Sequence, residues 1–270
     1  MALTALQRAI CRLIADNRKY EGEAYVAGGV ALNALLGGSR LSRDIDLFHD
    51  TQEALQATWD ADRHLLTEAG FGLKVVRERQ AFVECVVRQG EDSVVMQWVQ
   101  DSAFRFFPLV EHPDFGLVLH PFDLATNKVL ALVGRLEVRD WLDVISCHER
   151  LQPLGYLAWA ACGKDPGLNP RLILREASRS GRYSEAELDS LAFAGTPPTL
   201  PDAQRRWRAM LTEAEGTLDI LPPAEIGRCV LGADLNLFRG DAAALAHALC
   251  VGGVRFHGGS IRGVLPQFRI

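Results

Sequence analysis

The stretch Tyr25–Asp50, YVAGGVALNALLGGSRLSRDIDLFHD, decides the fold of the first half of the chain. A short apolar segment runs into Gly28-Gly29, a helix-like segment follows, and a strand then carries Asp44 and Asp46. Because side chains alternate along a strand, both carboxylates point to the same face, about 7 Å apart. Two carboxylates so close repel each other and resist burial unless a cation lies between them. The pattern therefore predicts a cation at this face.

The two glycines before the helix suit a phosphate group. Without a Cβ, Gly28 and Gly29 let backbone N–H groups approach a triphosphate at the start of a helix whose dipole attracts anions. A pair of Mg²⁺ ions about 4 Å apart, held by aspartates and by nucleotide phosphates, is a standard arrangement for such carboxylates. Each half alone has a simpler explanation, because Gly-Gly before a helix is usually a tight turn and Asp-x-Asp is common at solvated strand ends.

Outward from this stretch, the hydrophobic periodicity predicts an α/β domain over residues 1–150 and a mostly helical domain over residues 151–270. Strands are predicted at 44–48, 73–79, 82–88, 93–99, 116–120, 229–238 and 254–256. Helices are predicted at 3–18, 30–36, 51–69, 121–135, 138–150, 156–162, 170–180, 184–194, 202–217 and 241–249.

Composition and charge narrow the class of protein. The 270 residues are 48% hydrophobic and 23% charged with a net charge of −5, which is globular and excludes a uniformly basic nucleic-acid binder. Residues 1–150 carry a net charge of −6 and residues 151–270 a net charge of +1. No apolar run approaches the ~20 residues that cross a bilayer, and the N-terminal segment is not of the secretory type, so we expect a cytoplasmic protein without a membrane partner. The six cysteines include no Cys-x-x-Cys pair, which argues against a disulfide framework or zinc site.

Two sequence motifs, one within residues 28–48 and one within residues 128–143, resemble those of a known family and occur in the same order. GGVAL at 28–32 and RLSRDIDLF at 40–48 are similar to the Gly-Gly-Thr-Ala-Leu and Arg-x-Ser-x-Asp-Ile-Asp-Leu-Phe elements of the AbiEii/AbiGii-type nucleotidyltransferase toxins, within the polymerase-beta-like superfamily. Lys128, followed by Arg139-Asp140-Trp-Leu-Asp143, is similar to the family's helical motif. The resemblance covers about residues 20–150. It implies a nucleotidyltransferase fold with a mixed central sheet, followed by helices.

The resemblance also implies roles for individual residues. Asp44, Asp46, Lys128 and Asp140 would be catalytic, with Mg²⁺ on the two aspartates of the strand, in a two-metal site with the NTP substrate. The nucleotide would be contacted by Gly28, Gly29, Arg40, Ser42, Lys128, Arg139 and Asp143. Two alternatives stay open: Arg40 and Ser42 can equally be turn residues that brace the strand, and Arg139 can pair with Asp143 along one helix.

One departure from the superfamily concerns a third metal-binding carboxylate on a later strand. The matching position is Gln97, whose amide supplies no negative charge. Asp101, four residues on along the same strand face, is our predicted substitute, and Glu84 on the preceding strand is a second candidate. Without a substitute, the second metal ion would be held weakly and the enzyme would be slow or inactive.

The predicted function is Mg²⁺-dependent transfer of a nucleoside monophosphate from an NTP to an acceptor hydroxyl, with release of pyrophosphate. If the resemblance extends to the acceptor, this is the 3′ end of tRNA or another RNA, and a cognate antitoxin is a partner. The alternatives are transfer to a protein or a small molecule, and a degenerate module that only binds nucleotides. Arg171, Arg175 and Arg179 recur along one helix face, which indicates either a solvated face or a track for RNA phosphates.

Overall fold

The computed structural model describes residues 3–267, apart from the side chains at positions 20, 21 and 181. Its α-helices are α1 Ala5–Leu13, α2 Ala15–Glu21, α3 Gly28–Leu36, α4 Gln52–Glu68, α5 Pro121–Arg135, α6 Val138–Arg150, α7 Leu154–Ala161, α8 Pro170–Ala177, α9 Glu185–Asp189, α10 Leu200–Ile220 and α11 Ala242–Cys250. Its strands are β1 Ala24–Ala27, β2 Arg40–Leu41, β3 Asp44–His49, β4 Gly72–Arg79, β5 Phe82–Gln89, β6 Asp92–Gln100, β7 Phe104–Arg105, β8 Val110–His112, β9 Gly116–Val118, β10 Ala192–Phe193, β11 Cys229–Gly232, β12 Val254–His257 and β13 Ser260–Ile261.

The chain packs as two compact units. The first unit comprises Met1–Ala103, Pro108–His120 and Ala192–Gly195, and the second comprises Phe104–Phe107, Pro121–Leu191 and Thr196–Ile270. This division follows packing alone, and the domain assignment of 1–150 and 151–270 stays a prediction. None of the described helices is both long and apolar enough to cross a lipid bilayer.

A seven-stranded mixed sheet forms the centre of the first unit. Its order is β4-β5-β6-β3-β1-β9-β8, with β3 parallel to β6 and antiparallel to β1. The face that carries Ile45, Leu47 and Met96 is fully buried, and helix α4 contacts β3, β4 and β6. Trp59 of α4 meets Trp98 of β6 edge to face, with ring centroids 4.7 Å apart. The predicted α/β class with a mixed central sheet is confirmed.

Helices dominate the second unit. Helices α5 and α6 begin and end at the predicted residues, and α10 packs against α6, α7 and α8. Trp141 of α6 and Trp207 of α10 are buried and meet edge to face at 6.3 Å between centroids. Two small antiparallel sheets, β11 with β12 and β7 with β13, complete this unit.

Three predicted elements are wrong in extent. Helix 184–194 is replaced by the short α9 and by β10, which pairs with β2 through Ala192 and Phe193. The strand expected over 229–238 ends at Gly232, where a turn follows. The helix expected over 3–18 is two helices, because the backbone leaves helical geometry at Ile14. Local periodicity cannot predict pairing with a distant strand. The β2–β10 pair was therefore missed, because it joins residues about 150 positions apart.

Candidate active site

Strand β3 presents both predicted aspartates on one sheet face. Asp44 and Asp46 are half-buried, whereas Ile45 and Leu47 between and beyond them are fully buried. Asp46 lies opposite Ala27 of β1 on one side and opposite Gln97 of β6 on the other. The alternation expected for a strand therefore holds, and the two carboxylates share the face away from the core.

Gly28 lies directly against the Asp46 carboxylate. Its backbone has φ +68°, and a Cβ placed there would collide with Asp46 Oδ2 and lie 2.9 Å from Asp46 Cγ. Helix α3 begins at this glycine, and its N-cap residue Ala27 makes no side-chain capping hydrogen bond. Glycine is required here both for the left-handed backbone and for the close approach of the carboxylate.

Gly29, Arg40 and Ser42 meet beside this contact. A Cβ on Gly29 would lie 2.5 Å from Arg40 Nη2 and 3.2 Å from Ser42 Oγ. Arg40 is buried, although its guanidinium is cationic. The Ser42 carbonyl accepts a 2.7 Å hydrogen bond from Gln7 Nε2 of α1, which anchors the segment before β3. The structure thus brings together five of the predicted residues within the first unit: Gly28, Gly29, Arg40, Ser42 and Asp46.

The position of the third carboxylate is held by Gln97. Gln97 of β6 lies between Asp46 of β3 and Glu84 of β5. Its Nε2 donates a 3.0 Å hydrogen bond to Glu84 Oε2. Asp46, Gln97 and Glu84 therefore form one row across three strands. Because strands are about 4.8 Å apart, Glu84 lies about 10 Å from Asp46 between backbones.

The structure places Asp101, the predicted third metal ligand, away from the row of Asp46 and Gln97. Strand β6 ends at Gln100, and Asp101 is exposed with its Oδ1 accepting a hydrogen bond from the Ser102 amide. Four residues of strand separate it from Gln97, a rise of about 13 Å. Across the described residues 3–267, no group of three or more His, Cys, Asp or Glu side chains is placed to hold a metal ion.

The donor set nevertheless suits a hard cation. Asp44 and Asp46 supply carboxylate oxygens on one half-exposed face, which is the ligand type that Mg²⁺ prefers. Gly28 leaves the space beside Asp46 free of a side chain. Asp44 and Asp46 would hold one Mg²⁺ ion and would leave room for phosphate oxygens, and the two-metal arrangement stays a prediction.

Lys128 has its own charge cluster within the second unit. Its Nζ lies 2.9 Å from Asp140 Oδ1 and 2.9 Å from Asp143 Oδ2, and its side chain is 9% exposed. Burial alone lowers the pKa of Lys128, but the attraction of Asp143 and Asp140 outweighs it, and the pKa is raised. Helices α5 and α6 are thus joined by a buried ion pair that keeps this lysine charged.

Arg135 is the member of this cluster that the sequence reasoning missed. Its Nε and Nη2 donate hydrogen bonds of 2.6 and 3.0 Å to the two oxygens of the buried Asp140. Burial raises the pKa of Asp140, yet hydrogen bonds from Arg135 and Lys128 outweigh it, so the pKa is lowered. The sequence signal for this contact was the spacing. Arg135 ends α5, and Asp140 follows five residues later in the first turn of α6. The ion pair shown for Arg139 is with Glu137, at 2.5 Å, and Asp143 pairs with Lys128.

The arginines on and just after α8 are exposed and paired with acids. Arg171 contacts Asp219 at 2.6 Å, and Arg175 and Arg179 both contact Glu176. Their side chains are more than 60% exposed. The geometry is that of a solvated face, and an RNA phosphate at any of these arginines would compete with a carboxylate.

The sequence matches the family described as Nucleotidyl transferase AbiEii toxin, Type IV TA system, over residues 12–225. The chain belongs to the AbiEii nucleotidyltransferase toxin family. The members of this family are described as nucleotidyltransferase toxins of toxin–antitoxin systems, which is the family that the motifs of the first half predicted. No sequence among curated proteins matches it.

Two solved structures provide a comparison. MenT4, a nucleotidyltransferase toxin from Mycobacterium tuberculosis H37Rv, is 18% identical with a TM-score of 0.53, over 77% of this AbiEii-family chain and 84% of that chain. JHP933 from Helicobacter pylori is 16% identical with a TM-score of 0.49, over 80% of this chain and 95% of that one. At these identities the likeness to MenT4 concerns the fold alone.

Proposed function

We propose that this chain transfers a nucleoside monophosphate from an NTP to an acceptor hydroxyl, with Mg²⁺ held by Asp44 and Asp46. The observation that carries the proposal is the contact between the Asp46 carboxylate and Gly28 at the start of α3. It puts a metal-type ligand beside backbone amides that can receive phosphate oxygens. Neither group alone distinguishes a nucleotide site from a turn.

The residues of the first unit have separable roles in this proposal. The first-turn amides of α3, which have no side-chain cap, donate to the phosphates of the NTP. Arg40, buried against Gly29, contributes positive charge next to them. When bound, Mg²⁺ supplies charge neutralisation of the phosphates and polarises the α-phosphoryl group.

The reaction is a displacement at the α-phosphorus. The acceptor oxygen forms a bond to the α-phosphorus, the bond from that phosphorus to the α,β-bridging oxygen breaks, and pyrophosphate leaves with the electron pair. The proton of the acceptor hydroxyl passes to water. Gln97, in the row of Asp46, is an amide and cannot take this proton, which favours a slow transfer rate.

For the acceptor, we propose the 3′ end of tRNA, and for the partner, a cognate antitoxin. The membership of the chain in a toxin–antitoxin family supports the antitoxin, and the tRNA acceptor is the expectation that follows from the resemblance of the motifs. Lys128 is proposed to bind the triphosphate, and Asp140 is proposed to act with it. The nucleotide then has to compete for Lys128 with the buried carboxylates of Asp140 and Asp143.

The test is incubation of the purified chain with each of four labelled NTPs, Mg²⁺ and total tRNA, followed by denaturing gels and protein gels. Label on RNA that depends on Mg²⁺ and is lost in Asp46→Asn supports the proposal. Label on protein or on small molecules, with none on RNA, contradicts the proposed acceptor while leaving the transfer chemistry in place.

Gln97 in place of a carboxylate favours a second candidate, a module that binds Mg²⁺·NTP without turnover. Pyrophosphate release separates the two functions. A chain that binds Mg²⁺·NTP and releases no pyrophosphate with any acceptor is such a module. Restoring a carboxylate with Gln97→Asp would then be expected to produce measurable release.

A further inference from the structure

The sheet face that carries Asp44 and Asp46 continues across β6 and β5 to the edge strand β4. The register joins Asp44 to Val95, Val86 and Lys74 in one row, and Asp46 to Gln97, Glu84 and Arg77 in the next. A third row runs from Phe48 through Val99 and Phe82 to Arg79. Residues directly opposite each other in a sheet share a face. The three rows therefore form one surface, called here the open sheet face.

Four basic residues line the far side of the open sheet face. Lys74, Arg77 and Arg79 stand on β4 and Arg88 stands on β5, opposite Gly72 and Ser93. All four are exposed. Within the described residues, none of the four makes an ion pair, and Arg77 instead lies over the Phe82 ring at 5.7 Å from its centroid.

A β-bulge produces this alignment. The register shifts between Val75 and Arg77, so Val76 is an extra residue in β4. In a regular strand Lys74 and Arg77, three residues apart, would point to opposite faces. The bulge turns Arg77 and Arg79 to the side of Lys74, which is also the side of the two aspartates.

The charge of this surface contrasts with that of its surroundings. Residues 1–150 have a net charge of −6, and the arginines on and after α8 are already paired with carboxylates. Unpaired, exposed cations in an acidic region fit a polyanionic partner. Between these cations and the aspartates, the two outer rows carry the half-buried apolar side chains Phe82, Val86, Val95 and Val99, and the middle row carries Gln97 hydrogen-bonded to Glu84. Such a floor suits unstacked bases better than a duplex backbone.

We infer that the open sheet face binds the single-stranded 3′ end of an RNA acceptor, with its phosphates on Lys74, Arg77, Arg79 and Arg88. The inference rests on the proposed function, because it takes the reacting hydroxyl to lie at Asp44 and Asp46. Three strand spacings, about 14 Å, separate the Asp46 row position from Arg77. An extended strand that crosses the sheet along the rows therefore reaches the aspartates with its terminal nucleotide.

The experiment compares the full chain with the variant K74A/R77A/R79A/R88A. Binding of a short, 5′-labelled single-stranded RNA is followed by fluorescence anisotropy over a salt series. Each lost phosphate contact lowers the salt-dependence slope by about 0.7, so four contacts lower it by about 2.8. At about 0.1 M salt, the affinity is expected to fall by about 100-fold or more.

Two matched variants control for net charge and for shape. R171A/R175A/R179A removes three exposed arginines of the second unit and should bind RNA like the wild type. K74R/R77K/R79K/R88K keeps all four charges and should retain most of the affinity. Unchanged thermal unfolding of the fourfold alanine variant checks that the fold is kept, as expected for exposed side chains without ion pairs.

The failure of this inference is distinguishable from failure of the proposed function. Asp46→Asn should bind RNA normally and transfer no nucleotide, whereas the fourfold variant should bind Mg²⁺·NTP normally and bind RNA weakly. If the fourfold variant keeps wild-type RNA affinity and slope while the wild type labels RNA, the surface is misassigned and the transfer reaction stands. If the four basic residues instead bind an acidic protein strand at edge β4, the fourfold variant loses a protein partner and keeps its RNA binding. That result also overturns the inference.

Discussion

At the scale of single residues, the site depends on one close contact. Asp46 approaches Gly28 so closely that no other residue fits there, and Asp44 follows on the same strand face. The side chains of Asp44 and Asp46 are half-buried, so they can change chemistry without removing core volume. Catalysis and stability are therefore separable at Asp46 but not at Gly28.

Asp46→Asn is expected to lower nucleotidyl transfer by at least about 100-fold, because it removes metal-binding charge from a half-exposed position. The thermal unfolding midpoint should stay close to that of the wild type. Labelled-NTP transfer and calorimetry measure both quantities. Asp101→Asn is the matched control and should keep full activity, since Asp101 lies beyond the end of β6. Loss of activity in Asp101→Asn and not in Asp46→Asn would reverse our assignment.

Gly28→Ala is expected to destabilise the chain by more than the ~1–2 kcal/mol of a left-handed backbone, because the new methyl group meets the Asp46 carboxylate. Activity should fall as well, since Asp46 has to move. Gly22→Ala is the control, with φ +69° and no atom within 4 Å of the added Cβ. Urea unfolding of the two variants separates the cost of the contact with Asp46 from the cost of the backbone strain. Equal losses of unfolding free energy would show that the Asp46 side chain moves aside without cost.

At the scale of secondary-structure elements, a buried charge cluster joins α5 and α6. Lys128 contributes the ammonium group, Asp140 and Asp143 the carboxylates, and Arg135 a bidentate guanidinium. Buried ion pairs contribute little net stability when complete, but breaking one leaves an uncompensated buried charge. The cluster thus fixes how the two helices pack rather than how stable they are.

Lys128→Met is expected to lower the free energy of unfolding by about 3–5 kcal/mol, because Asp140 and Asp143 lose their shared cation. The triple variant K128M/D140N/D143N should recover part of that loss, since no charge is left unpaired. Urea denaturation compares them. A Lys128→Met variant with wild-type stability and weakened NTP binding would instead make Lys128 purely a nucleotide ligand.

The same cluster predicts an acid-sensitive contribution to stability. The folded pKa of Asp140 is below its usual value of 3.8, so its contribution is present above about pH 4 and is lost as pH falls through the lowered pKa. Asp140→Asn should therefore lose stability at neutral pH and show a shallower decline in acid. Between pH 6 and 8 the two free energies of unfolding should run parallel. An equal acid slope in both proteins contradicts the assignment.

At the scale of the whole molecule, ligand binding distinguishes a protein that binds nucleotides from a fold that does not. Mg²⁺·NTP at about 100 times its dissociation constant should stabilise the chain by about 2.7 kcal/mol and raise the unfolding midpoint by several degrees. Asp46→Asn should remove this shift, whereas Asp101→Asn should keep it. A shift without pyrophosphate release identifies a binding module, and no shift with any NTP argues against a nucleotide site.

The sequence alone determined the elements whose signals are local. Alternation placed Asp44 and Asp46 on one strand face, and periodicity defined α5 and α6 to the residue, because both signals depend only on neighbouring positions. The motifs around them were sufficient to identify the family, which the match over residues 12–225 confirms. The helix predicted at 51–69 is α4, and the Thr51 hydroxyl caps its N-terminus by accepting a hydrogen bond from the Ala54 amide.

Tertiary structure alone decided which distant residues meet. The approach of Gly28 to Asp46, the two partners of Lys128 and the pairing of β10 with β2 all join segments whose separation carries no periodic signal. The bulge at Val76 is the clearest case. Simple alternation separates Lys74 from Arg77, whereas the register with β5 puts both on the face of the aspartates. A one-residue shift in pairing inverts every later side chain, and only the neighbouring strand sets that register.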